Sequence, residues 1–239
     1  MTADDNLTVD ASGFARHHHD SRTSDSRYAG DTVARIWVRF IEGHEPQSSP
    51  RDAQLTIADD IFAIYDSRGS AAYFGEPVSV TEHGLQAAYF AQEEHASADL
   101  VLAALLHDIG HLIVDCPEDI RDWTDDAHHE RIGSGWLARR FGAEVSEPVR
   151  LHVPAKRYLC ATRPEYFEKL SPASVLTLKL QGGLMSAAEV TAFEAEPFFR
   201  QALRLREWDD RGKIPGLATP DLSSYRALIE TQHGRAARS

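Results

Sequence analysis

Residues 105–112, LLHDIGHL, carry an apolar run onto His107 and Asp108, with His111 four positions beyond His107. Imidazole and carboxylate groups delivered together from a hydrophobic segment are the donor types of a metal site. His83, His129 and His152 also lie in apolar, helix-like surroundings. One buried histidine is more often a hydrogen-bonded core residue than a ligand. Five in one small domain, beside an aspartate, strain that explanation. Adjacent residues on a helix diverge by about 100°, so the Asp108 carboxylate can bridge two metals while the His107 ring binds one of them. Histidine-rich sites with carboxylates and open positions suit iron or manganese better than thiolate-seeking ions. Asp209, in REWDDRGK, is a late acidic candidate to complete the set, although alone it reads as a surface charge at a helix end. Hydrolytic sites of this kind polarise a phosphoryl oxygen and acidify a bound water. The spacing itself establishes only a site able to hold two metals.

Helices must bring these side chains together. Residues 1–28 are polar, Ser/Asp-rich and aperiodic, which predicts a disordered tail. The His17–His19 tract within it reads as a flexible run with no surrounding shell to fix a geometry. Val33, Ile36, Trp37, Phe40 and Ile41 recur on one helical face, giving an N-terminal helical extension over 29–52 that Pro46 and Pro50 stop. Residues 53–233 read as one helical domain and 234–239 as a flexible C-terminus. Within the domain, Leu55, Ala58, Ile61, Phe62 and Tyr65 face inward on one helix. A loop with Gly69 and Gly75 precedes the next, with Pro77 just inside its start. Further helices are expected over Asp99–Leu106, Asp125–Phe141 and Glu147–Cys160, the last interrupted at Pro154. Another starts with Ser171 as cap and Pro172 in first position. Two more cover Ser186–Trp208, broken at Pro197, and Asp221–His233. No β-branched alternation survives, so the fold class is all-α.

Bulk properties narrow the function. The chain has 239 residues, 42% hydrophobic and 26% charged, as in ordinary soluble domains. Net charge is −12 and the Lys and Arg residues are scattered, which excludes a basic stripe for nucleic acid. Cys116 and Cys160 form no CxxC, excluding structural thiolate zinc and a disulfide framework. No run reaches membrane-spanning length and the acidic N-terminus lacks a signal-peptide layout, so no membrane partner and a cytoplasmic location are expected.

The series H…HD…H…H…D has the ligand order of the HD-domain superfamily, all-α bundles around one or two metals. More closely, the chain resembles the HD-domain mixed-valence di-iron oxygenases that cleave the carbon–phosphorus bond of 1-hydroxyphosphonates. The stretches that carry the resemblance are YFGEPVSVTEHGLQAAYFAQ (73–92), VLAALLHDIGH (101–111), HERIG (129–133) and HVPAKRYL (152–159). KLSPASVLTLKLQGG (169–183) and LRLREWDDRGK (203–213) continue it, in order, over roughly residues 55–232. The resemblance implies an HD-domain helical bundle around a dinuclear site. His83, His107, Asp108, His129, His152 and Asp209 would ligate an Fe(II)/Fe(III) pair, with Asp108 as the bridge. It implies that Tyr73 occupies an iron position at rest and leaves when substrate arrives. Glu76 would move with the same loop and meet a cationic amino group. His111, Lys156, Ser174 and Arg206 match family positions that contact the phosphonate or its neighbourhood. The implied reaction takes O2 as co-substrate and 2-amino- or 2-trimethylammonio-1-hydroxyethylphosphonate as substrate. It yields glycine or glycine betaine and inorganic phosphate. A pathway hydroxylase supplying the 1-hydroxy compound is implied, without physical contact.

Elementary chemistry weighs these roles separately. A phosphonate dianion needs charge-assisted donors, and Arg206 and Lys156 offer a fork and a point charge. Single basic residues are usually solvated, but both lie within a few residues of a proposed ligand. Ser174 falls in the first turn of its helix, where free N–H groups favour anions. His111 also suits the role of fixing a ligand. Tyr73, beside Gly75 in a polar loop, has little core to join and suits a mobile lid. The alternative for an HD sequence is a metal-dependent phosphohydrolase. A polyol-cleaving di-iron oxygenase and a non-catalytic sensing module stand behind it, the last disfavoured by an intact ligand set.

Overall fold

The computed structural model describes residues 55–73, 75–114 and 128–238. The expected tail over 1–28 with its His17–His19 tract, the extension over 29–52, Cys116 and positions 125–127 lie outside the described residues. Helix starts follow local chemistry. α1 (Ile57–Arg68) and α2 (Val80–Glu93) each begin on a capping box, Thr56 with Asp59 and Ser79 with Glu82. The sequence puts Pro77 inside the start of α2, whereas the helix begins at Val80. The Ser79–Glu82 box satisfies the first orphan N–H groups, and Val78 stays in the preceding turn, accepting from the Tyr73 N–H. α3 (Ala98–Leu106) is capped by Ser97, and every residue from Leu100 to Leu106 is buried. A helix apolar on all sides belongs in the middle of a bundle. Its fully buried Leu102, Leu105 and Leu106 contribute about 1.5–3 kcal/mol each.

α4 (Ile109–Ile113) follows a break at His107 and Asp108, and α5 (His129–Ala138) packs against it. α6 (Ala143–Thr162) is next, then α7 (Pro164–Phe167), α8 (Pro172–Leu180), α9 (Ala187–Glu194) and α10 (Phe199–Arg211). A 3-10 turn, Leu222–Tyr225, leads into α11 (Arg226–Ala236), which continues past the expected end at His233. Ser171 caps α8 with Pro172 in first position, as the sequence predicts. The expected interruption at Pro154 does not occur: α6 runs through both Pro148 and Pro154. A proline inside a helix costs about 3 kcal/mol. Here α6 packs against α3, α5 and α10 and buries Val149, Leu151, Val153, Ala155 and Leu159, and that burial offsets the missing N–H donors.

Among the described residues the only extended pairing is an isolated bridge between Ala72 and Ser79, so the fold is all-α. No described helix is long and apolar enough to cross a membrane. The main core gathers Ile61, Leu102, Leu105, Leu106, Ile109, Leu137 and Trp208 around α3. A smaller cluster, Leu151, Ala155, Phe193 and Ala202, joins α6, α9 and α10.

Candidate metal centre

Six residues converge at the middle of this bundle. His83 lies on α2, His107 and Asp108 form the break between α3 and α4, and His129 opens α5. His152 sits midway along α6 and Asp209 near the end of α10. The α4–α5 crossing is the tightest step. A Cβ on Gly110 would lie 2.1 Å from the His129 carbonyl oxygen, so only glycine permits the approach. That contact stacks the His111 and His129 rings, with centroids 3.9 Å apart.

The Asp108 carboxylate divides its oxygens between two histidine groups. Oδ2 faces His107 Nε2 at 3.4 Å and His83 Nε2 at 3.6 Å. Oδ1 faces His129 Nε2 at 3.4 Å and His152 Nε2 at 3.6 Å, with His111 Nε2 at 4.0 Å. Asp209 Oδ1 closes the first group, 3.4 Å from His83 Nε2. Donor atoms of His83, His107 and Asp209 lie within 4.8 Å of one another, and so do those of Asp108, His111 and His129. His111 therefore shares ligand distance with the second group, alongside His152.

Carbonyl oxygens fix three of these rings, because a carbonyl only accepts. Nδ1–H of His83 donates to Gly212 O at 2.9 Å, that of His107 to Ala104 O at 2.8 Å, and that of His152 to Val149 O at 2.7 Å. With Nδ1 donating outward, each ring turns its Nε2 towards the centre. His83 and His107 Nε2 stand 3.0 Å apart, and His129 and His152 Nε2 3.1 Å apart. Facing lone pairs repel unless a cation or a proton lies between them. Electrostatics asks for the same charge. Burial opposes ionisation of Asp108 and Asp209, yet His107 and Arg206 respectively hold them well below the usual carboxylate range. Burial likewise opposes charge on His107, and Asp108 overrides it, raising the ring to about 9. His152 falls to about 3, and His111 well below its usual value, through burial and then the neighbouring His129. Buried imidazoles and carboxylates in two sets fit a pair of transition-metal ions.

Tyr73 is less free than its sequence context suggests. It packs on the main core, stacks on His83 with centroids 3.9 Å apart, and donates its hydroxyl to Asp108 Oδ2 at 2.8 Å. Burial and the Asp108 charge hold that hydroxyl well above the ordinary phenol range, so it is a neutral donor. The turn beneath it closes by Glu76 N–H donating to Tyr73 O at 2.8 Å, with Gly75 at φ +84°, backbone that favours glycine. Tyr73 walls a cavity of about 40 Å³ over the histidines, whose other sides include Lys156, Ser174, Arg206 and Lys213. That is room for about three waters.

Lys156 and Arg206 are buried, not solvated. Lys156 Nζ donates to Thr177 Oγ1 at 2.8 Å, and burial, then Arg206, holds it down at about 7. Arg206 donates to Asp209 Oδ2 at 2.6 Å and to the Tyr166 hydroxyl at 3.0 Å, and pairs with Asp210. It thereby fixes Asp209 with Oδ1 towards His83. Ser174 does not offer a free backbone donor, because its N–H goes to Ser171 Oγ at 3.1 Å; its own Oγ accepts from Lys213 Nζ at 3.0 Å.

No family model matches the chain. Hydroxymethylphosphonate dioxygenase of Gimesia maris is 44% identical over 172 residues, 72% of this chain and 85% of the relative. The glycine-betaine-forming 1-hydroxy-2-(trimethylamino)ethyl phosphonate dioxygenase of Leisingera caerulea is 42% identical over 174 residues, 73% and 89% of the two chains. The chain belongs to the HD-domain phosphonate dioxygenase family. An uncharacterised protein of Acanthamoeba polyphaga mimivirus is 38% identical over 171 residues, 71% and 78%. As a member of this dioxygenase family the chain is a metal-dependent oxygenase, and the phosphohydrolase alternative falls away. Sequence reasoning passed over several residues that line this centre or bond to its neighbours: Ser171, Thr177, Tyr166, Asp210 and Lys213. The last two stood in REWDDRGK, where the i,i+4 spacing puts Arg206 and Asp210 on one helix face, while Lys213 follows the helix end. Glu130 was missed too. It is buried beside His129, with Oε2 3.8 Å from His129 Nδ1.

Proposed function

We propose that the protein is a di-iron oxygenase that uses O2 to cleave the carbon–phosphorus bond of a 1-hydroxyphosphonate carrying a 2-amino or 2-trimethylammonio group. The observation that carries this reading is the Asp108 carboxylate, one oxygen turned to each histidine group. His83, His107 and Asp209 would hold one iron, His129 and His152 the other, with Asp108 between them. Bound as Fe(II)/Fe(III), the pair would supply the redox chemistry that couples O2 to oxidation of the substrate's first carbon. The balance is R–CH(OH)–PO3²⁻ plus O2 giving R–COO⁻, HPO4²⁻ and a proton, so no external reductant enters. A hydroxylase is the class of reaction that must supply the 1-hydroxyl group.

The chain's own residues do the binding. Lys156 brings a positive point charge to the pocket wall, and His111 faces the same space. Arg206 acts on the phosphonate side while holding Asp209 in register. Tyr73 lifts off Asp108 to admit the substrate, and its turn carries Glu76 to the cationic group. Closing the turn again excludes water. The test is aerobic incubation of iron-loaded protein with a panel of 1-hydroxyphosphonates. O2 uptake matched one-to-one by phosphate release is expected, and phosphate release from esters under strict anaerobiosis would sink the reading.

A further inference from the structure

Glu76, the carboxylate assigned above to the substrate's cation, already has a cation. Lys213 Nζ lies 3.3 Å from Glu76 Oε1, and only 14% and 12% of the two side chains are exposed. Ser171 Oγ donates to the same Glu76 oxygen at 2.5 Å, and Lys213 Nζ also reaches Ser174 Oγ at 3.0 Å. The base of Lys213 is locked on both sides. His83 Nδ1 donates to Gly212 O at 2.9 Å, Gln86 Oε1 accepts from Ile214 N–H at 2.9 Å, and Gln86 Nε2 donates to Ile214 O at 2.8 Å. α2 thus anchors the backbone on either side of the lysine, and only its four-carbon stem is left to pivot between Glu76 and the pocket that it lines.

We propose that Lys213 is a specificity-determining residue: as the internal counter-ion of Glu76, it sets how much the site gains from a positive charge on the second carbon of the ligand. The proposal deepens the reading of Glu76 given above and rests on it. Breaking a buried pair by removing one partner leaves the other charge uncompensated. A ligand cation that reaches Glu76 must therefore displace Lys213, which turns to the incoming phosphonate. A ligand with a phosphonate alone leaves the pair intact. Lys213 tempers the preference for cations, and without it Glu76 depends on the ligand for its partner.

The experiment measures anaerobic dissociation constants of iron-loaded protein for 2-aminoethylphosphonate and ethylphosphonate, two probes that differ in the cation and lack the 1-hydroxyl group. Lys213→Met is expected to raise the preference for the aminated probe roughly tenfold, which is about 1.4 kcal/mol. The Lys213→Met/Glu76→Gln double variant is expected to show almost no preference. Lys213→Arg keeps the charge and is expected to stay within about twofold of wild type. An unchanged preference in folded Lys213→Met, a rise that persists in the double variant, or a wild type that binds neither probe overturns the proposal. Wild-type protein that consumes no O2 with any 1-hydroxyphosphonate sinks the oxygenase reading instead and leaves the binding ratios to be judged separately.

Discussion

Asp108 is the residue on which two half-sites depend, because its oxygens serve different imidazoles. In Asp108→Asn the amide keeps one acceptor oxygen and turns a donor towards the other histidine pair. Iron content by metal analysis should fall from two per chain to one or none. kcat/KM should fall by more than the roughly 10–100-fold typical of outer partners of a metal site. Full loading with unchanged activity would remove Asp108 from the bridge. Lys156 makes a prediction in pH. Burial, then Arg206, lowers it to about 7, so its charge is present below that value and is lost as pH rises through it. Binding of a phosphonate dianion should weaken on the alkaline side, with kcat/KM approaching a tenfold fall per pH unit. Substitution Lys156→Arg keeps the charge, because guanidinium does not titrate in this range, and should erase that limb. A limb that persists in the variant belongs to the substrate or to another group.

At the level of elements, the sequence spells out helices better than their crossings. The Ser171–Pro172 start and the separation of α9 from α10 near Pro197 follow from local chemistry that any reader of the chain can apply. The passage of α6 through two prolines does not, since packing against three neighbours decides it. Nor does the α4–α5 approach, on which the second histidine group depends. Gly110 looks like an ordinary glycine in LLHDIGHL, yet a Cβ there would strike the His129 backbone. In Gly110→Ala the two helices must separate, at about 1–3 kcal/mol by analogy with overpacked cores. With about 2–4 °C per kcal/mol for a domain of this size, the apo melting temperature should drop by roughly 2–12 °C. The separation also carries His129 away from Asp108, so iron binding should weaken beyond what the loss of stability explains. A variant that melts like wild type and loads both irons would show that the crossing has slack.

For the whole molecule, the cluster of inward-facing His and Asp residues is legible because such residues are rare inside apolar helices. The charges that surround it are not. Arg206 with Asp210, or Lys213 with Glu76, look like solvated surface residues until the bundle closes over them. The structure collects two ionised aspartates and inward-facing imidazoles from five helices and one interhelical break, with Arg206 bonded to Asp209 and the neutral Tyr73 hydroxyl to Asp108. Such a centre is costly to assemble bare and favourable to assemble around cations, so metal binding and folding must be linked. An ion that binds the folded chain and not the unfolded one, at a free concentration a hundred times its dissociation constant, stabilises by about 2.7 kcal/mol. Removing iron with a chelator should therefore lower the melting temperature by roughly 5–11 °C. Readdition under anaerobic conditions should restore it. The same treatment of Asp108→Asn should shift the transition by less than half as much, because one half-site is already lost. If chelation leaves the wild-type transition in place while emptying the site, the centre is held together by the bundle alone, and the link between metal and stability fails.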